Sequence, residues 1–201
     1  MNPQVRILVF VAIMGMITSG MLVAMDLLTR DRIEENQAFS LYSAVLNANN
    51  HAHTTANFRD VFEEYIVESE IDGITFFEDT ESGNVSFVVE GGGVWGPIGA
   101  LITLESDLKT IVSVRILFQE ETPGLGGVIA DPQYLEKYQG VALDIENPSS
   151  AIRITHNRTG NDNEVDAITG GTRTSNSFQT IFNTGYAAAL EAWMNQGGEN
   201  E

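Results

Sequence analysis

The residues best suited to chemistry in this sequence sit in two glycine-bearing loops. The second of them is Asp166-Ala167-Ile168-Thr169-Gly170-Gly171-Thr172-Arg173-Thr174-Ser175, at the opening of an expected helix. Small residues clear space around the Thr172 hydroxyl. The amides of a helix start and the positive end of its dipole suit that place to a phosphate dianion, and Arg173 can add a charge-assisted contact. No Gly-Lys-Ser/Thr follows, so this is not a Walker loop, and the GxGxxG spacing of a dinucleotide fold is absent. The same residues also describe a capped helix with a flexible entry. The first loop is Glu121-Thr122-Pro123-Gly124-Leu125-Gly126-Gly127, after an expected strand. Pro123 presets φ and Gly124 accepts positive φ, so this turn bares backbone N–H groups and leaves Leu125 projecting. From those residues alone a plain strand-to-helix connection is the favoured reading.

Strands and a helix must hold these loops. Runs rich in Val, Ile, Thr and Phe predict strands over 74–77, 85–89, 98–104 and 110–118. The polar segment Glu105-Ser106-Asp107-Leu108-Lys109 between the last two predicts an antiparallel hairpin. Gly91-Gly92-Gly93, ahead of Val94-Trp95-Gly96-Pro97, lets the backbone turn sharply or approach another group closely. Asp131-Pro132 predicts a short helix over 131–140, with Pro at its first position. A short strand is expected over 151–155. The last helix is expected from Thr174-Ser175 to Gln196, with Phe178, Ile181, Phe182, Tyr186, Leu190 and Trp193 on one stripe.

The N-terminal region is different. Residues 7–25 form an uncharged run of 19 residues between Arg6 and Asp26. As a helix the run reaches about 28 Å, close to the hydrocarbon thickness of a bilayer. A cleaved signal peptide is the competing reading, but the run is long for one and Val23-Ala24-Met25 is a poor cleavage site. Arg6 precedes the run and Arg30 and Arg32 follow it, so charge counting leaves its orientation open. Residues 26–50 read as a further helix ending at Asn47-Ala48-Asn49-Asn50. The expected fold class is α+β: a single domain of antiparallel strands and flanking helices, tethered by one N-terminal transmembrane helix. The expected division is an anchor over 1–28, a helical connector over 29–60 and a domain over 61–201.

Composition narrows the functions. Among 201 residues, 28 are acidic and 10 basic, a formal charge of −18. A body so negative repels phosphate backbones, and no Lys/Arg cluster offsets it, which excludes nucleic acid as the main partner. The absence of cysteine removes disulfides, iron–sulfur clusters, thiol nucleophiles and Cys-based zinc sites. His51 and His53 are a candidate metal pair, without the further ligands that a closed site needs.

Taken together, the two loops resemble those of the FMN-binding domain found in both the sodium-translocating NADH:quinone reductase, in its C subunit, and the Rnf electron-transport complex, in its G subunit. Asp166-x-x-Thr169-Gly170-Gly171-Thr172 looks like the flavinylation motif of that family, which usually has Ala at the place of Gly171. Glu121-Thr122-Pro123-Gly124-Leu125-Gly126 resembles its second signature, and the N-terminal span and the order of the motifs agree. The resemblance implies an electron-carrier subunit of a membrane ion-translocating NADH:quinone reductase, not an enzyme by itself, with other subunits of the complex as partners. FMN would be esterified to Thr172 by a separate flavin transferase, which would recognise Asp166. The amides after Thr172, with Thr174 and Ser175, would meet the phosphate. The flavin ring would rest near Thr122 and Leu125, with Trp95 a further packing candidate. The domain would face the outside of the cytoplasmic membrane. The segments 93–98 and 104–111 look more like the quinone-reductase protein, whereas the compact length and the segment 28–33 look more like the Rnf protein. A stand-alone membrane-tethered flavoprotein, and an acidic module whose glycine loops are merely turns, are the readings from other classes.

Overall fold

The uncharged run and the segment after it contain no proline, and nothing at Met25-Asp26-Leu27 interrupts helical hydrogen bonding. The structure, a computed structural model that describes residues 2–198, accordingly joins the two expected helices into one, α1, over Pro3–Ala48. Met1 and residues 199–201, the outer ends of the expected anchor and domain, lie outside the described residues. Chain packing divides between Ser40 and Leu41. In the first unit α1 is long and apolar enough to cross a membrane, and its most apolar stretch buries nothing within the protein. There the Thr18 hydroxyl donates to Met14 O at 2.9 Å, which satisfies a polar group inside its own helix.

In the second unit, the last turns of α1 bury Ser43, Ala44, Val45 and Leu46. Asn50 takes a positive φ of 62° and His51 N–H returns to Leu46 O, closing the helix. His51 Nε2 then meets the buried Asp79 carboxylate at 2.5 Å, while His53 Nδ1 lies 2.9 Å from His51 O. Both histidines thus have protein partners, and no group of three or more metal-ligating side chains occurs among the described residues.

A short helix, α2 (Phe58–Tyr65), and a strand, β1 (Ile66–Ile71), follow, neither of which was expected. Phe58 and Phe62, four residues apart, fall on one buried face of α2. In β1, Glu68 and Glu70 alternate with Ser69 and Ile71 on an outer strand, and charges there discourage pairing with another chain. The remaining strands are β2 (Ile74–Asp79), β3 (Val85–Gly92), β4 (Pro97–Leu104) and β5 (Ile111–Phe118), giving an antiparallel sheet in the order β1-β2-β3-β4-β5. The expected hairpin joins β4 to β5, with Asp107 Oδ1 accepting the N–H groups of Lys109 and Thr110.

After β5 come a 3-10 turn (Gly126–Ala130) and the four-residue helix α3 (Pro132–Leu135). The helix expected over 131–140 continues past α3 as a 3-10 turn (Glu136–Tyr138), after which the chain docks on the sheet: Gly140 N–H donates to Ile111 O and Ile111 N–H to Val141 O. Asp131 occupies the cap position without a side-chain cap bond. The strand expected over 151–155 is β6 (Arg153–Thr155). It pairs in parallel with the unexpected β7 (Glu164–Asp166).

The last helix, α4 (Thr172–Gly198), lies on the sheet and closes the core. Alternation sets Phe76, Phe87, Ile98, Ala100 and Ile102 into that core with Phe178, Phe182 and Tyr186 of α4. On the opposite face Phe77 meets Phe62 of α2 edge-on, and Ser86 pairs with Thr103 through their hydroxyls at 2.9 Å. The Tyr186 hydroxyl donates to Leu108 O, and burial with nearby Asp107 and Asp144 pushes its pKa up to about 12. Side chains of α4 also hold β6: Ile152 N–H donates to Asn183 Oδ1 at 2.9 Å and Ile154 N–H to Gln179 Oε1 at 2.6 Å.

Glu164 closes the loop between β6 and β7, accepting from Thr159 Oγ1, the Thr159 and Gly160 amides and Arg153. The Thr159 hydroxyl first, then those amides, pull its carboxyl down to about 2. A carboxyl depressed in the folded state stabilises the fold fully above the unfolded value of about 4.3 and progressively less as pH falls toward 2. In thermal melts of the full chain, Glu164→Gln is therefore expected to lower Tm at pH 7, and the gap to the parent should close between about pH 4.3 and 2. A gap that is independent of pH would contradict this.

Candidate functional site

The two glycine loops meet. Pro123 and Gly124 form a turn in which Leu125 N–H donates to Thr122 O at 3.1 Å, with Gly124 at φ 74°. A Pro followed by a positive-φ Gly at the turn centre is the type II arrangement. The second loop repeats the device: Gly171 N–H donates to Ile168 O at 3.0 Å across Thr169 and Gly170, and Gly170 has φ 79°. Gly171 then caps α4, since its carbonyl accepts the first helical bond, from Ser175 N–H at 2.9 Å. The helix begins at Thr172, two residues earlier than expected, because the turn delivers the chain directly into it. The amides of Thr172, Arg173 and Thr174 precede that first bond and make up the donor end of the helix.

Glu121 binds the loops together. Its side chain is 5% exposed. Oε1 accepts Val94 N–H at 2.6 Å and Trp95 N–H at 3.3 Å, while Oε2 accepts the Thr174 hydroxyl at 2.7 Å. Gly126 lies against this junction: a Cβ there would sit 2.6 Å from Glu121 Oε2 and collide with Thr174 Oγ1. A carboxylate taken out of water survives only with such donors around it.

Around the junction a cleft of about 260 Å³ is lined by Val94, Trp95, Glu121, Thr122, Leu125, Gly126, Gly170, Thr172, Arg173 and Thr174. Of the site residues expected from sequence, it gathers Trp95, Glu121, Thr122, Leu125, Gly126, Gly170, Thr172 and Thr174. Gly124 and Thr169 lie on the two turns beside it, outside the lining, and Gly171 is buried beneath it against Ile168. Asp166 ends β7, partly exposed and 3.4 Å from Lys137 Nζ, outside the cleft lining. The hydroxyls of Thr174 and Ser175 have protein partners: Thr174 donates to Glu121 Oε2 at 2.7 Å, and Ser175 Oγ accepts Ile168 N–H at 3.0 Å. Both bonds hold the loop in shape. One neighbour was missed. His156 Nε2 lies 3.4 Å from Thr172 Oγ1, and only the residue type could have flagged it, since 16 positions separate the two.

The residues suit a phosphate ester of a flat aromatic group. Thr172 lines the cleft at the positive end of a long helix, beside Arg173. Trp95 and Leu125 stand 73% and 47% exposed at the rim, apolar surface for a ring to cover. The cleft is smaller than the roughly 300–1,000 Å³ of a site that encloses a drug-sized ligand.

Residues 93–187 match the family model described as FMN-binding domain, in agreement with the resemblance of the two loops. The chain is 34% identical over 96 residues to the C subunit of the Na(+)-translocating NADH-quinone reductase of Vibrio vulnificus, covering 47% of this chain and 38% of that protein. The corresponding protein of Yersinia pestis is 36% identical over 97 residues, 47% of this chain and 36% of the relative. The matched part thus spans well under half the length of these curated relatives. Two solved structures share the fold. Shewanella oneidensis NqrC superposes with a TM-score of 0.61 at 20% identity, over 76% of this chain and 96% of that one. The C subunit of the Na(+)-translocating NADH-quinone reductase from Parabacteroides distasonis gives 0.66 at 21% identity, over 80% and 96%.

Removing the carboxylate at 121 leaves the Val94 and Trp95 amides and the Thr174 hydroxyl without their partner. Glu121→Ala is expected to cost about 2 kcal/mol of stability. Hydrogen exchange should then speed up in a peptide covering 93–96, while that of β2 stays unchanged. Unaltered exchange at 93–96 would mean that the loop is held by something else.

Proposed function

We propose that this chain is a membrane-anchored flavoprotein that carries FMN as a phosphoester on Thr172 and passes electrons within a membrane redox complex, in the manner of the C subunit of the sodium-translocating NADH:quinone reductase. The observation that carries the reading is the Thr172 hydroxyl at the first position of α4, inside a cleft built from both signature loops. The similarity to the quinone-reductase relatives supports this complex over the Rnf one.

When bound, the flavin supplies one-electron redox chemistry. The chain's own residues bind and orient it. The amides opening α4 and the Arg173 guanidinium face the phosphate charge. Trp95, Thr122 and Leu125 cover one side of the ring, and Glu121 keeps their two loops at a fixed separation. Asp166, outside the cleft, is available to a separate flavin transferase. A covalent link fits a domain on the outer side of the cytoplasmic membrane, where a dissociated cofactor is lost. In this reading residues 1–28 are the anchor, 29–60 the helical connector and 61–201 the flavin domain. Sodium coupling belongs to the assembled complex, since residues 7–25 carry no ionisable side chain to mark an ion path.

The test is in-gel flavin fluorescence under denaturing conditions, on full-length chain made in membranes together with a flavin transferase. The parent band should fluoresce, Thr172→Ser should retain fluorescence, and Thr172→Ala should be dark although it folds, because the hydroxyl at 172 bonds none of the groups that hold the loops together. A dark parent band would leave the acidic module with mere turns.

A further inference from the structure

Among the described residues the Thr172 hydroxyl has one polar side-chain neighbour, Nε2 of His156 at 3.4 Å. His156 directly follows β6, and the backbone at Ile152 and Ile154 is fixed to α4 by Asn183 and Gln179, so the helix that begins with Thr172 also holds the chain leading to the histidine. On its other side β6 pairs with β7, with Thr155 opposite Asp166, and Ala167 N–H donates to Thr155 O at 3.0 Å. The imidazole is exposed and otherwise plays no part in the site.

We propose that His156 is the proton acceptor for esterification of Thr172, an inference that rests on the reading of Thr172 as the flavin acceptor. The donor is flavin adenine dinucleotide held by the transferase. The Thr172 Oγ1–P bond forms to the phosphorus that carries the riboflavin side, and the bond from that phosphorus to the bridging pyrophosphate oxygen breaks, releasing AMP. The hydroxyl proton passes to His156 Nε2 and then to water, with no change of oxidation state. This requires the neutral tautomer with its proton on Nδ1, so that Nε2 presents a lone pair to the hydroxyl. A positioned base of this kind contributes about 10²–10⁴-fold in rate. The charged residues on the neighbouring segments are Arg173 on α4, Asp166 of β7 with its Lys137 partner, and Arg158 on the same segment as the histidine.

The experiment measures initial rates of flavin incorporation into the full-length chain in detergent at pH 8, with purified transferase and flavin adenine dinucleotide. Because the transferase is common to all reactions, the quantity of interest is the ratio of parent to His156→Gln. Gln keeps a polar group near the hydroxyl but accepts no proton. The ratio should be about 100 at pH 8. End-point labelling should be complete for both, and added imidazole should restore part of the rate of His156→Ala. A ratio near 1 at pH 8, or no recovery of the His156→Ala rate by added imidazole, overturns the role of His156 while Thr172 still becomes labelled. If the parent is never labelled, the reading of Thr172 itself fails and this inference fails with it.

Discussion

The carboxylate of Glu121 joins three stretches of chain that are distant in sequence: the turn after β3, the loop after β5 and the first turn of α4. Each partner donates to it, and all of them are drawn out of water with it. A buried carboxylate left with one donor fewer is unfavourable by an amount comparable to a substantial fraction of a domain's stability. The three segments therefore hold together or come apart as a unit. The two glycine turns, the Thr172 hydroxyl and the aromatic rim at Trp95 take their separations from this one group. Gly126 is part of the same constraint, because any side chain there would occupy the space of the Glu121–Thr174 bond.

The electrostatics of the site run against those of the chain. The protein carries 28 acidic residues against 10 basic, yet the lining of the cleft brings Arg173 to the donor end of α4, and its one carboxylate is already satisfied by hydrogen bonds. A phosphate meets there oriented amides and a guanidinium rather than the general negative field. The remaining acidic residues lie mostly on the solvated surface, where their mutual repulsion opposes self-association of the domain.

Much of this was legible in the residues. Short runs rich in Val, Ile, Thr and Phe marked β2 to β5, and the polar hairpin between β4 and β5 followed from Asp107 and its neighbours. The Pro123-Gly124 pair marked its turn because Pro presets φ and Gly accepts a positive φ. What escaped was decided by tertiary packing. β1 carries Glu68 and Glu70 and reads as polar chain until β2 pairs with it. β7 is three residues long and exists through its partner β6. The helix expected over 131–140 tightens to a 3-10 turn at Glu136 and gives way at Gly140 to hydrogen bonds with Ile111. Thr174 and Ser175 looked like phosphate ligands because hydroxyls at a helix start usually face outward. Here Glu121 and the Ile168 amide claim them. His156 was invisible as a neighbour of Thr172, since no local spacing connects the end of a short strand to a helix 16 residues on.

Thr172 is the one hydroxyl of its loop that lines the cleft, opens α4 and is not claimed by the Glu121 junction, whereas the nearby Thr169 stands on the turn outside the lining. The most direct measurement is therefore tandem mass spectrometry of the tryptic peptide 159–173 from chain purified out of its native membrane. The account requires a flavin phosphate on that peptide with fragment ions placing it on Thr172. An unmodified peptide, or a flavin placed on Thr169, would contradict it.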